Sequence, residues 1–115
     1  VLQPQSEIPS VRRYLIEHDF KIVYEIMLTD EGKYYMAMKA VPGKEPGWNE
    51  TEYLFGKILL RQKHPVLWDF LEKEKKLYHK ILKQLDETDQ SGTERYREVT
   101  GYLEELDRAM DYYRK

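Results

Sequence analysis

The chain contains no cysteine, which excludes disulfides and thiolate metal sites and is compatible with a cytoplasmic protein, the expected setting. No stretch approaches the roughly 18 consecutive apolar residues of a membrane-spanning helix, and no charged-then-apolar secretory pattern is legible in it. A soluble protein with no membrane partner is therefore expected. Glycine is sparse, six residues that never gather into a phosphate-cradling loop or a nucleophile elbow. The three histidines, His18, His64 and His79, lack the paired spacing of a metal site and are expected at the surface or at helix ends. Carboxylate neighbours such as Glu104 and Glu105 sit in a polar helical pattern with no sign of a shielded cleft. No catalytic, cofactor-binding or metal-ligating residue is expected within these 115 residues.

What the chain does have is 41% apolar residues, 13% aromatic residues including ten tyrosines, and 35% charged residues. That mixture is too apolar for a disordered segment and charged enough for much solvated helix. The formal charge of -2 does not advertise nucleic acid, but the average hides a polarity. Residues 57–83 carry eight Lys/Arg against three Asp/Glu, and residues 86–115 carry five against nine.

Periodicity sets out the elements. Residues 6–17 read as a short helix with Ser6 as N-cap, Pro9 in the first turn, and Val11, Tyr14 and Leu15 on one face. Residues 20–28 and 34–41, rich in β-branched and aromatic side chains, read as two strands joined by a hairpin loop at 29–33 that offers Gly32 for positive φ. Tyr34 and Tyr35, like Tyr112 and Tyr113, could stack on bases, although core packing is the ordinary use of such aromatics. The breaker cluster Pro42-Gly43-Lys44-Glu45-Pro46-Gly47 is the clearest internal boundary. Asn49 with Glu52 forms a capping box for a helix to about Lys63, and His64-Pro65 ends that helix and starts another. Two heptad-like stripes then follow, Leu67-Leu71-Glu74-Tyr78-Ile81-Leu85 and Tyr96-Val99-Leu103-Leu106-Met110-Tyr113, separated by a polar turn where Ser91 and Glu94 repeat the capping signature. They predict an antiparallel coiled-coil hairpin.

On the first of these helices Lys73, Lys76, Lys80 and Lys83 form one line opposite Leu67, Leu71 and Ile81. A line of ammonium groups suits a phosphate backbone. It also suits the wet face of any helical hairpin, paired with Asp69 or Glu72. Composition alone leaves both uses open, as it leaves open a non-enzymatic hairpin that dimerises or docks a protein partner.

The ordered set LQP, RRYL in a helix, DEGKYY between two strands, YLFGKILLRQKHP and a helical hairpin resembles the bacterial tRNA adenine-N1 methyltransferases of the TrmK type. The pattern Gly-Lys-x-Tyr is met by Gly32, Lys33 and Tyr35, and the Phe-Gly pair before the coiled coil by Phe55-Gly56; Gln5 and Lys57 stand where members usually carry Asn and Pro. The resemblance implies a class I, S-adenosylmethionine-dependent fold acting on an adenine at position 22 of tRNA, with this chain as its later part. Residues 1–43 would close the α/β domain, an end of a Rossmann-like sheet made of a helix plus an antiparallel strand hairpin. Residues 44–64 would connect, and 65–115 would form the coiled-coil hairpin. The end of the fifth strand, at residues 1–4, would face the ligand crevice, making Gln3, Pro4 and Gln5 substrate-edge candidates. Lys73, Lys76, Lys80 and Lys83, with Lys57, Arg61 and Lys63, become candidate tRNA contacts that read shape and phosphates. S-adenosylmethionine would be the parent's cofactor, held by strands upstream and not by this chain alone. Strand edges left open would invite self-association.

Overall fold

The structure, a computed structural model, describes residues 7–88 and 92–114. Residues 1–5, with the candidates Gln3, Pro4 and Gln5, and the expected caps Ser6 and Ser91 lie outside the described residues. Helix α1 (Ile8–Glu17) begins with Pro9 in its first turn. Its inward face is a correction to the expectation: Ile8, Arg12 and Ile16, each four apart, are buried, while Tyr14 is 58% exposed and Val11 and Leu15 are only half-buried. A charged residue occupies the centre of the packing face because it finds a buried partner.

Strands β1 (Phe20–Asp30) and β2 (Lys33–Pro42) pair antiparallel. The connection is tighter than the loop at 29–33 that was expected: the ladder runs to Asp30↔Lys33, and only Glu31 and Gly32 turn, with φ of 51° and 79°. Positive φ at both central residues matches the right-handed twist of the flanking strands. The imperfect alternation of β1 has a cause in the register, which shifts between Ile22↔Ala40 and Tyr24↔Lys39 and leaves Val23 as the extra residue of a bulge. Ile22 is inward before the bulge, and Glu25 and Met27 are inward after it.

The expected helix over residues 49–63 is two short helices, α2 (Glu50–Phe55) and α3 (Lys57–Arg61), broken at Gly56. The capping box is present: Asn49 accepts from the Glu52 amide at 2.8 Å and Glu52 accepts from the Asn49 amide at 3.0 Å. Helix α4 (Pro65–Glu87) follows, with His64 as N-cap accepting from the Val66 amide and Pro65 in its first turn. Helix α5 (Glu94–Arg114) starts where the Thr93 hydroxyl accepts from the Tyr96 amide. The two long helices run antiparallel, as the pairs Trp68–Tyr113, Lys75–Asp107 and Tyr78–Tyr102 show.

Both stripes read from the sequence are the contact faces. Leu67 and Leu71 of α4 and Val99, Leu103, Leu106 and Met110 of α5 are buried, and the Tyr102 hydroxyl donates to Glu74 at 2.9 Å. One core joins these residues to Ile8, Met27 and Met36, with Phe55, Leu59 and Leu60 between. The long helices therefore pack over one face of the strand pair, and Phe70 meets the Tyr34 ring edge-on at 5.1 Å. On the outer face Val23, Tyr24 and Leu28 stay about half exposed. No helix among the described residues is long and apolar enough to cross a membrane.

Candidate functional site

Two features stand out, a charged junction inside the fold and a basic surface on α4. The junction is built from α1 and β1. Arg12 Nε donates to Glu25 Oε2 at 2.9 Å, and both side chains are almost wholly removed from solvent. Arg12 also donates to the Tyr53 and Leu54 carbonyls at the end of α2, at 2.9 and 3.1 Å. Glu25 accepts from the Ile58 amide, in the first turn of α3, at 3.0 Å. The cation thus satisfies the carbonyl end of one helix and the carboxylate satisfies the amide end of the next, each placed where the helix dipole favours it.

Gly56 makes this close approach possible. Its φ is 100°, and a Cβ there would lie 2.8 Å from Arg12 Nη2 and 2.9 Å from both Glu25 oxygens. Burial pushes the Arg12 guanidinium down and the Glu25 carboxyl up from their ordinary values, each opposed by the other's charge. Taking two ions out of water costs more than their mutual attraction returns unless further hydrogen bonds complete them. The backbone contacts at Tyr53, Leu54 and Ile58 are those bonds. Sequence reading missed this pair, and its signal was present: Arg12 sits midway between Ile8 and Ile16 at spacing four, and Glu25 interrupts the apolar run Ile22-Val23-Tyr24 and Ile26-Met27-Leu28.

On α4 the structure brings Lys73, Lys76, Lys80 and Lys83 into one exposed line. Lys73 is tied down: it lies 3.6 Å from Asp69 and 5.3 Å over the Tyr34 ring, whose hydroxyl donates to Asp69. The Tyr34 hydroxyl, then Asp69, hold Lys73 above its usual range, and the Tyr34 bond, then Lys73, hold Asp69 below its own. Lys76, Lys80 and Lys83 make no ion pair among the described residues. Surface pairing thus accounts for one lysine of the four.

Lys57 and Arg61 are placed apart from that line, on α3. Lys57 is half-buried over the Trp48 ring at 5.9 Å, and Arg61 is exposed in the last turn of α3. Lys63, exposed with φ 52°, precedes α4 and lies beside Trp68 and Arg114. The histidines are where helix-end and surface roles would put them: His18 closes α1 and stacks on Tyr14, His64 caps α4, and His79 is exposed. Tyr113 donates to the His64 carbonyl at 2.7 Å and Tyr112 receives from Asn49 at 3.3 Å, so both hold α5 against the connecting segment.

A family profile for TrmK, described as tRNA (adenine(22)-N(1))-methyltransferase, matches residues 1–107. The chain belongs to this family. No curated relative matches it. Among solved structures it resembles the B. subtilis m1A22 tRNA methyltransferase TrmK, with TM-score 0.72 and 20% identity over 88% of this chain and 46% of that one. It likewise resembles M. capricolum TrmK in complex with S-adenosyl-homocysteine, with TM-score 0.77 and 22% identity over 90% of this chain and 45% of that one. A Streptococcus agalactiae protein of the NADB-Rossmann superfamily is similar too, with TM-score 0.75 and 20% identity over 89% and 43%. At these identities the likeness is one of fold, and the chain spans a little under half the length of the solved relatives it matches.

Family members imply S-adenosylmethionine, and the described residues do not fit it. The two strands are joined by a two-residue turn, with no strand–loop–helix crossing between them. The one buried glycine at a helix start, Gly56, has its open side filled by Arg12 and Glu25. No group of three or more His, Asp or Glu that could hold a metal ion occurs among the described residues.

Proposed function

We propose that this chain is the tRNA-holding, C-terminal part of a cytoplasmic S-adenosylmethionine-dependent tRNA adenine-N1 methyltransferase. The observation that carries it is the exposed line of Lys76, Lys80 and Lys83 on one face of α4, with no ion pair among the described residues, in a chain of net charge -2 that matches the family profile over residues 1–107. Isolated surface lysines gain little from one another, and a phosphate backbone neutralises such a row with release of counterions. Residues 65–115 act as a coiled-coil arm, residues 1–43 as the edge of the cofactor domain, and 44–64 as the joint between them. In this reading the Arg12–Glu25 junction fixes the angle of the joint, since it holds the end of α2 and the start of α3 against α1 and β1. Gln3, Pro4 and Gln5, outside the described residues, remain the candidates for the substrate edge, and Lys57, Arg61 and Lys63 the candidates for further phosphate contacts.

The test is retention of the chain on tRNA across a salt series, beside a variant with Lys73, Lys76, Lys80 and Lys83 changed to Glu. The expected result is binding that weakens steeply with salt, and a variant whose log–log slope is flatter by a little under about one unit for each phosphate it no longer neutralises. Equal affinity of a normally helical variant would overturn it. Salt-insensitive self-association without tRNA binding would favour the helical-hairpin interaction module instead.

A further inference from the structure

Beside the lysine line, along the edge of α4 nearest α5, two grooves meet at Trp68. One, of about 520 Å³, is lined by Trp68, Lys75, Lys76, His79, Met110 and Arg114. The other, of about 400 Å³, shares Trp68 and Arg114 and is closed by Lys63, Pro65 and Tyr113. Five nitrogen-bearing side chains thus surround the indole, with Glu72 as the one carboxylate among the lining residues. The ring is half-buried against the core and held on one side: its centroid lies 5.0 Å from that of Tyr113, with the two planes tilted by 50°, and Tyr113 is anchored on the His64 carbonyl, so the part of the indole that lines the grooves is the part open to a ligand. Lys75 and Arg114 are steadied by Asp107 and Asp111 at 2.9 and 2.8 Å, while Lys76 makes no ion pair among the described residues and belongs to both the groove and the lysine line.

A fixed aromatic face flanked on both sides by cations is the arrangement that single-stranded nucleic acid uses, a base on the ring and its phosphates on the amines. Duplex RNA buries its base faces and could use only the amines. We propose that Trp68 stacks on one unpaired base of the RNA substrate, with the phosphates on either side of that base held by Lys63 and Lys76. This rests on the RNA-binding reading above and adds to it a stacking site, outside the lysine line, for a looped nucleotide.

The test uses the chain with a fluorescein-labelled oligouridylate, which has little structure of its own, and with tRNA in parallel. Trp68→Leu keeps an apolar contact for Tyr113 and removes the aromatic face. It should weaken oligouridylate binding about tenfold while leaving the log–log salt slope unchanged, because the same phosphates stay neutralised. Trp68→Phe keeps a smaller ring and should fall between. Oligouridylate should also quench the tryptophan emission of the wild-type chain, and the quench should vanish in Trp68→Phe, where the buried Trp48 is the sole remaining tryptophan. That optical result decides the question should Trp68→Leu fail to fold.

If tRNA binds through the lysines, neither Trp68 variant alters affinity and RNA does not quench the wild-type emission, the stacking site is wrong and the RNA reading stands. If neither RNA binds at low salt, both fall together. Displacement by polyglutamate with no quench by RNA would assign the groove to an acidic protein partner and overturn the proposal.

Discussion

Gly56→Ala is the substitution that tests the charged junction most directly. The new methyl group meets two buried side chains and one backbone constraint. At φ 100° an alanine is strained, by about 1–3 kcal/mol for a residue held outside its allowed regions. Its Cβ would also lie 2.8 Å from Arg12 Nη2 and 2.9 Å from both Glu25 oxygens. Neither side chain can simply swing away, because Arg12 is fixed on two carbonyls of α2 and Glu25 on an amide of α3. Losing one hydrogen bond in a buried charged set costs about 1.5–3 kcal/mol. The sum is about 4 kcal/mol, a large share of the roughly 5–15 kcal/mol by which domains of this size are stable. Urea denaturation followed by circular dichroism measures it. Gly101→Ala serves as the control of opposite sign: this glycine lies exposed in α5 with nothing within 4 Å, so alanine there should stabilise by about 0.5–1 kcal/mol through helix propensity. A loss below about 1 kcal/mol in Gly56→Ala would refute the junction as a close-packed, fixed contact.

Replacing Arg12 alone by Met should cost about 3–5 kcal/mol because it strands the Glu25 carboxylate, whereas Arg12→Met with Glu25→Leu should recover much of that loss, as a double-mutant cycle in urea would show. His64 caps α4 as a neutral acceptor and burial holds it below its ordinary 6.5, so the unfolded chain takes up the proton first and stability should fall as pH drops through about 6.5; His64→Asn should remove that slope in denaturation series. Glu31→Asn places a residue tolerant of positive φ in the two-residue turn and should raise stability by about 0.5 kcal/mol, read as a shift in urea midpoint with unchanged slope. Leu28→Lys on the outer strand face should abolish any concentration-dependent association in sedimentation; association that persists would place the contact elsewhere.

Element types and most boundaries were legible in the sequence because they depend on local rules. The two strands, the capping box at Asn49 and Glu52, the Pro65 start of α4 and both heptad-like stripes need only near neighbours, and the structure has all of them. The lysine line was legible for the same reason, since helix spacing alone places Lys73, Lys76, Lys80 and Lys83 together. Helical spacing says nothing of what faces them, and only the tertiary structure paired Lys73 with Asp69 and Tyr34 and left the others without an ion pair among the described residues.

The break at Gly56, the buried face of α1 and the groove at Trp68 were decided by distant partners. Arg12 enters the interior because Glu25, thirteen residues away, and two carbonyls more than forty residues away meet it there. An isolated pattern assigns a charge to water, since desolvation dominates until a partner is in place. Val23 bulges because β1 must present Ile22 on one side of it and Glu25 and Met27 on the other to the same interior, a requirement set by the packed helices. Trp68 is likewise one aromatic among several in the sequence. It becomes part of a basic groove only when the antiparallel return of α5 sets Tyr113 against its ring and Arg114 beside it. Local periodicity determined which residues form helices and strands, and the burial of charge and the meeting of α4 with α5 determined where the chain bends and which surface it offers.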